Sequence, residues 1–276
     1  MPELPEVETT RRHLAVAMVG RRIDRVVVRH PRMVRRQARP SDFGDRLAGR
    51  TVDRLDRIGK FLLARLSGDI TWVTHLGMSG RTEIAPEGRG EVRHTNVVVG
   101  LNDGVEFRLV DPRTFGFVAA YLPDELEASS VGSLGPDALN DLPRSPELAR
   151  RMKGRAAPIK PLLLDQRFLA GLGNIYADEV LFRAGVSPFR PAGSLDRSEV
   201  AGVRAAVRSV LKAGLRYGGT SLGDLAYLLP DGRAGEYLSR LKVYGREDEP
   251  CRRCGTRIRR GILRQRSTFW CPECQS

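Results

Sequence analysis

Two stretches of this chain combine residue types and spacings that could do chemistry. The first is the opening MPELPEVE, in which proline at position 2 is small enough for the initiator methionine to be removed. Removal leaves Pro2 with a secondary amine. Such an amine, with an ordinary pKa of roughly 8, is partly neutral at cellular pH and can attack a carbonyl-like carbon to give an iminium. Glu3 and Glu6 stand three residues apart. On a first helical turn their carboxylates can share one side beside that amine and divide acid and base roles. The same residues also suit a plain helix start, where acids complement the dipole and proline is favoured. The second stretch is Cys251-x-x-Cys254, sixteen intervening residues, then Cys271-x-x-Cys274. Each pair fits a tight turn that offers two thiolates, and the spacer suits a β-hairpin. The four sulfurs would close a tetrahedral site around one Zn2+, structural because no coordination position is left open.

Weaker signals lie between these two. Seven arginines lie within the cysteine-bounded segment if Arg252 and Arg253 inside the first pair are counted, among them Arg266 in RQRSTFW. They read either as a solvated face or as a hairpin that sets basic side chains against phosphates. In AGLGNIYADEV, Gly171 and Gly173 precede Asn174, which can cap a helix and leave bare N–H groups as a phosphate seat. HLGMSG at 75–80 and DPRTFG at 111–116 place Met78, Arg113 and Phe115 in turns beside glycine, where packing cannot fully bury them. Side chains so placed can insert between bases or read base edges. Lys60 follows Gly59 at a strand start, where most lysines are surface charges.

These residues need a scaffold, and 276 residues allow two domains, each with its own core. A helix is expected from about Pro5 to Val19, with Val7, Leu14 and Met18 on one side and Gly20 as its stop. Seven β-rich runs follow (22–30, 50–59, 60–67, 70–77, 93–101, 105–111 and 115–122), separated by Gly and Asp turns, which predicts an antiparallel sandwich or barrel. The Pro-, Gly- and acid-rich stretch from Pro123 to Pro146 reads as a linker. Helical patterns then run to about residue 216, and a Gly-rich segment, 218–240, precedes the cysteines. The expected organisation is therefore 1–122, a linker at 123–145, a helical domain at 146–240 and a zinc finger at 241–276.

The formal charge of +13, from 46 Lys+Arg against 33 Asp+Glu, points to a polyanionic partner, most naturally nucleic acid. No run approaches eighteen apolar residues and no signal pattern opens the chain, so a soluble cytoplasmic protein with no membrane partner is expected. All four cysteines fall within the last 26 residues, which argues for one local site over a disulfide framework.

Taken together, PELPEVE, RIGKFLL, HLGMSG, DPRTFG, LLLDQRFLAGLGNIYADE, GGTSL, VYGRE and RSTFWCPEC closely resemble the formamidopyrimidine-DNA glycosylase family, bacterial base-excision repair enzymes that share a fold with endonuclease VIII. The motifs run in family order from residue 2 to 274. Leu4 in PELPEV looks like the formamidopyrimidine branch. The resemblance implies an α+β multidomain fold, with an N-terminal β-sandwich headed by a catalytic helix and a C-terminal helix-two-turns-helix domain carrying a zinc finger. It implies a bifunctional glycosylase and AP lyase that removes oxidised purines, such as 8-oxoguanine and formamidopyrimidines, and nicks the strand by β,δ-elimination. The implied partner is damaged double-stranded DNA and the implied cofactor is the single structural zinc, with no nucleotide cofactor. A monomer bound to the nucleoid through DNA is expected.

By the same resemblance, Pro2 is the nucleophile at C1′ of the flipped nucleotide, Glu3 the acid that helps open the sugar, and Glu6 its supporting carboxylate. Lys60 is assigned to proton donation in β-elimination, and Arg266 to δ-elimination and phosphate clamping. His75, His94, Arg155, Lys160, Asn174 and Tyr244 match positions around the DNA backbone. Met78, Arg113 and Phe115 match the trio that fills the gap left by the everted base, with Arg113 facing the orphaned cytosine. One segment departs from the family: after GGTSL many members carry a basic residue and, further on, a Phe-Gln pair, where this chain has Gly223 and Tyr237-Leu238. That loop is associated with covering the lesion, so the departure bears on lesion preference. The alternatives are an endonuclease VIII-like enzyme for oxidised pyrimidines, or a zinc-finger protein that recognises damage without cleavage.

Overall fold

The computed structural model describes residues 2–221 and 227–276. The chain groups into two compact units: Met1–Ser133 with Leu215–Leu238, and Leu134–Gly214 with Ser239–Ser276.

In the first unit, α1 (Leu4–Met18) starts where the Glu3 N–H donates to Glu6 Oε2 at 2.8 Å and ends before Gly20, whose φ of +82° the next turn requires. Eight strands follow: β1 (Ile23–Val28), β2 (Val52–Ile58), β3 (Phe61–Leu66), β4 (Ile70–His75), β5 (Arg81–Pro86), β6 (Thr95–Leu101), β7 (Val105–Val110) and β8 (Phe117–Tyr121), with the short α2 (Ser41–Leu47) between β1 and β2. They form two four-stranded antiparallel sheets, ordered β1-β6-β7-β5 and β2-β3-β4-β8, a sandwich, which is one of the two arrangements the strand spacing allowed and the one the resemblance implied. The strand β5 is additional to the seven expected. Its sequence, RTEIAP, holds two charges and a proline and shows little alternation.

The two inner faces meet at Trp72 of β4 and Phe107 of β7, packed edge to face at 4.8 Å. Leu14 and Met18 of α1 and Phe43 of α2 complete the buried cluster. Each such side chain contributes about 1.5–3 kcal/mol by leaving water, which fixes the helix on the sandwich. The stretch expected as a linker begins with a helical turn, α3 (Pro123–Ala128), whose Glu125 pairs with Arg46.

The second unit contains α4 (Ser145–Met152), α5 (Ile159–Leu164), α6 (Asn174–Ala184) and most of α7 (Arg197–Arg216), then the hairpin β9 (Arg259–Leu263) and β10 (Arg266–Trp270). Arg264 and Gln265 both have positive φ, 45° and 63°, the two-residue turn that matches hairpin twist. The segment Leu215–Leu238, read from sequence with the helical domain, packs with the first unit. Among the described residues no helix is long and apolar enough to cross a membrane.

Candidate functional site

In the first unit the opening turn is buried. Pro2 is inside, and Glu3 and Glu6 are only 2% and 1% exposed. Acids that served only to complement a helix dipole would stay in water, because burying a carboxylate is costly without partners. Glu6 has partners at both oxygens. Oε2 accepts from the Glu3 N–H, and Oε1 accepts from the Thr220 N–H at 2.6 Å. Tyr227 donates from its hydroxyl to the Glu6 carbonyl at 3.2 Å, and burial pushes that hydroxyl's pKa up. Gly219 makes the arrangement possible: at φ +86°, a β-carbon there would sit 2.7 Å from Glu6 Oε1. Thus the GGTSL motif supplies a backbone clamp for Glu6. Sequence reasoning left Gly219, Thr220 and Tyr227 without a role. Gly223 lies outside the described residues, while Tyr237 is buried against Tyr217 and Leu238 is exposed.

Lys60 is buried in the tight turn between β2 and β3. The turn is tethered to α1 by Arg57, fully buried, which donates from Nε to Glu8 Oε2 at 3.2 Å and from Nη1 to the Gly59 carbonyl at 2.9 Å. Burial works to raise the Glu8 pKa, but hydrogen bonds from Arg11 and Arg12 and the charge of Arg57 hold it below the usual range. The anchor therefore stays ionised.

His75 ends β4 between Phe61 and Phe117, with ring centroids at 4.8 and 5.7 Å. Burial, reinforced by Lys60, Arg35 and Arg36, lowers its pKa to about 4, so the ring is neutral at cellular pH. Its Nδ1 accepts from the Gly77 N–H at 3.1 Å, which leaves Nε2 as the protonated, donating nitrogen.

The turns carrying Met78 and Phe115 are packed backbone to backbone. A β-carbon on Gly77 would lie 2.4 Å from the Gly116 nitrogen. Buried Asp111 organises the second turn, accepting from Ser79 Oγ, the Arg113 N–H and the Gly116 N–H at 2.7, 3.2 and 2.7 Å. Met78 and Phe115 remain 38% and 40% exposed, and the Arg113 guanidinium stacks 4.9 Å from the Phe115 ring. The structure thus brings this trio to one tip. Exposed His94, at φ +68°, adjoins it through a hydrogen bond from the Asp111 N–H to its carbonyl.

In the second unit the residues converge on the hairpin. Asn174 does not cap α6. Gly173 is the N-cap, and Asn174 turns its Nδ2 to the Ser267 carbonyl at 2.8 Å. Lys160, expected at the DNA backbone, is fully buried, since Asp178 lies 2.8 Å away and its Nζ donates to the Ser267 carbonyl at 2.8 Å and to Thr268 Oγ1 at 2.9 Å. Both residues therefore hold the strand that begins at exposed Arg266. Asp178 also accepts from the Phe269 N–H, and its burial pushes the carboxyl up to about 7 against the pull of Lys160. Glu179 accepts the consecutive N–H groups of Lys242, Val243 and Tyr244, at 2.9 to 3.0 Å, which seats Tyr244 against Phe269. Burial raises its pKa, and these three bonds oppose the rise. Asp178 and Glu179 were missed as site residues; their one signal was a pair of acids inside the otherwise apolar IYADEVLF. Arg155 is exposed, over the Phe168 ring at 5.7 Å.

The four cysteine sulfurs lie within 4.8 Å of one another, with Cys251–Cys274 at 4.0 Å and Cys254–Cys271 at 3.5 Å. Zinc–thiolate bonds of about 2.3 Å at tetrahedral angles require sulfurs roughly 3.8 Å apart, so the quartet fits one structural zinc. Gln275 braces it by accepting from the Cys271 N–H and donating to the Val186 carbonyl.

Comparison with known proteins matches this geometry. Residues 1–118 match the formamidopyrimidine-DNA glycosylase N-terminal domain, 134–225 the H2TH domain of that enzyme, and 248–276 a zinc finger found in FPG and IleRS. The chain belongs to the formamidopyrimidine-DNA glycosylase family. It is 45% identical to the enzyme of Heliobacterium modesticaldum over the full length of both chains, and 42% identical to that of Thermus thermophilus, covering 100% of this chain and 98% of the other. The crystal structure of the Thermus thermophilus protein superposes with a TM-score of 0.89 at 41% identity over 99% and 98% of the two chains. A Lactococcus lactis FPG mutant bound to Fapy-dG-containing DNA gives 0.91 at 30% identity over 100% of each. The family consists of DNA glycosylases with AP lyase activity, so this chain is a base-excision repair enzyme for oxidised purines, and its partner is damaged double-stranded DNA.

Proposed function

We propose that Pro2, with Met1 removed, is the nucleophile. Its amine attacks C1′ of the everted nucleotide, the bond from C1′ to the base breaks, and an iminium joins enzyme to sugar. Glu3 supplies the proton that opens the ring, and Glu6 supports it. The iminium withdraws electrons from C2′, so a C2′ proton is lost and the 3′ phosphate leaves; Lys60 serves this β-elimination. Arg266 serves the following δ-elimination and clamps a phosphate. Neutral His75, with Nε2–H free of the Gly77 contact, is a phosphate donor whose strength is constant across cellular pH. Arg155, His94 and Tyr244 contact the backbone, and Asn174 and Lys160 position Arg266. Met78, Arg113 and Phe115 fill the gap, offsetting the few kcal/mol that unstacking costs.

The observation that carries this reading is the buried carboxylate pair beside Pro2, with Glu6 held at both oxygens. Borohydride reduction with duplexes carrying 8-oxoguanine, thymine glycol or an abasic site tests it. A covalent adduct should form and should vanish when an N-terminal extension blocks Pro2. No adduct on any duplex would overturn the reading, and faster trapping on thymine glycol than on 8-oxoguanine would move the chain to the pyrimidine branch.

A further inference from the structure

Most arginines on the sandwich are neutralised. Arg11 and Arg12 pair with Glu8, Arg29 with Glu91, Arg39 with Asp42 and Arg46 with Glu125. Arg32, Arg35, Arg36 and Arg113 break the pattern. Among the described residues none of the four has a carboxylate at ion-pair distance, yet all four crowd onto two phenylalanine rings. Arg32 and Arg113 lie 5.9 and 4.9 Å from the Phe115 centroid, and Arg35 and Arg36 lie 5.4 and 5.5 Å from that of Phe117.

The cluster is built, not incidental. A one-turn 3-10 segment, Pro31–Val34, buries Met33 and Val34 and so turns Arg32, Arg35 and Arg36 outward. Gln37 ties the segment to the edge strand β8 by accepting from the Ala120 N–H at 2.6 Å. Arg35 then grips the DPRTFG turn, donating from Nη1 to the Gly116 carbonyl at 2.6 Å and from Nη2 to the Phe115 carbonyl at 2.9 Å. Burial and the neighbouring charges of Arg36 and Arg32 lower the Arg35 pKa, so the cations repel one another in the free protein. Aromatic faces soften that repulsion but cannot cancel it. Asp111 offsets part of this charge, and the remainder faces solvent, where a polyanion can complement it.

We propose that Arg32 and Arg36, held beside the 111–116 turn by Arg35, form a binding site for backbone phosphates of the undamaged strand opposite the lesion. This rests on the reading above that Arg113 faces the orphaned base, since the strand carrying that base is then the one passing the cluster.

The test is equilibrium binding of wild type and of an R32Q/R36Q double variant to a duplex with a central tetrahydrofuran site, across a salt series. Loss of two phosphate contacts should flatten the slope of log affinity against log salt by about 2 and weaken binding roughly tenfold to a hundredfold near 0.1 M salt. Neutral methylphosphonate linkages placed opposite the lesion should weaken wild type and leave the double variant unaffected. The same linkages in the lesion strand should weaken both proteins equally. An unchanged salt slope would overturn the proposal, and so would a double variant that loses as much as wild type when the opposite strand is neutralised. Borohydride trapping of the same wild-type preparation reports separately on the lyase reading, so the two can fail independently.

Discussion

The two units hold the cations proposed above to act on DNA, Lys60 and Arg266, by the same device, built from different chemistry. In the first, buried Arg57 pairs with Glu8 and donates to the Gly59 carbonyl, one residue before Lys60. In the second, buried Lys160 pairs with Asp178 and donates to the Ser267 carbonyl, one residue after Arg266. Each time, a buried ion pair holds a backbone group next to a cation that we propose acts on DNA. They differ in redundancy. Glu8 also accepts from Arg11 and Arg12, both partly in solvent, whereas Asp178 depends on Lys160 and one backbone N–H in a fully buried setting. An anchor of the first kind tolerates damage; one of the second kind fails as a unit.

Metal removal is the largest test of that contrast. The finger has few buried apolar residues of its own, among them Val243, Ile258 and Phe269. Zinc binding is therefore folding energy for it. Chelation should unfold the hairpin and abolish DNA binding and nicking together while the sandwich stays folded, checked by near-UV circular dichroism and a nicking assay. Full activity of a demetallated, folded protein would overturn the finger's role. Next in size is Lys160→Met, which strands Asp178 and should destabilise the second unit by about 3–5 kcal/mol in urea unfolding. The K160M/D178N double variant should recover at least half of that loss. If Lys160 instead met DNA directly, K160M would weaken binding with little change in stability.

Arg57→Met should cost less, about 1–2 kcal/mol, because Glu8 keeps two other arginines while the Gly59 carbonyl loses a donor. Its signature is kinetic: nicking of a preformed abasic site should slow more than DNA affinity falls, as the Lys60 turn loosens. Equal losses in affinity and rate would argue that Arg57 acts only on global stability.

This contrast explains what could be read in the sequence. The cysteine quartet was legible from its spacing alone, whereas Pro2, Glu3 and Glu6 and the turns of Met78, Arg113 and Phe115 stood out only through the family resemblance, because taken locally they fit a helix start and minor core residues equally well. The strands were legible from their spacing, apart from charged, proline-ended β5, but spacing alone left sandwich and barrel open. The supports were not legible, because their partners are remote in sequence: Glu6 and Thr220 are 214 residues apart, Lys160 and Ser267 are 107. A lysine near a phosphate seat looks the same in one dimension whether it points to DNA or to a buried aspartate. Asn174 likewise carried a cap's sequence signature, but Gly173 took the N-cap and freed the amide for Ser267. Arg35 and Gly219 matter only through what a distant backbone places beside them.

The smallest effect is a difference of sign with pH. The Glu8 carboxyl has a folded pKa below its unfolded value near 4.3, so the stability it contributes is present above that value and is lost as pH falls through the folded pKa. The Asp178 carboxyl is raised by burial to about 7 against an unfolded value near 3.9, so its contribution is greatest below pH 3.9 and is lost as pH rises toward 7. Wild type should therefore lose stability relative to D178N between about pH 4 and 7, with a slope of at most about 1.4 kcal/mol per pH unit. It should lose stability relative to E8Q in the opposite direction, on acidification below about pH 4.5. Urea unfolding of the three proteins across that range measures both slopes. Slopes of the same sign would mean that the two anchors are electrostatically alike, leaving redundancy alone to separate the anchor that aims Lys60 from the one that aims Arg266.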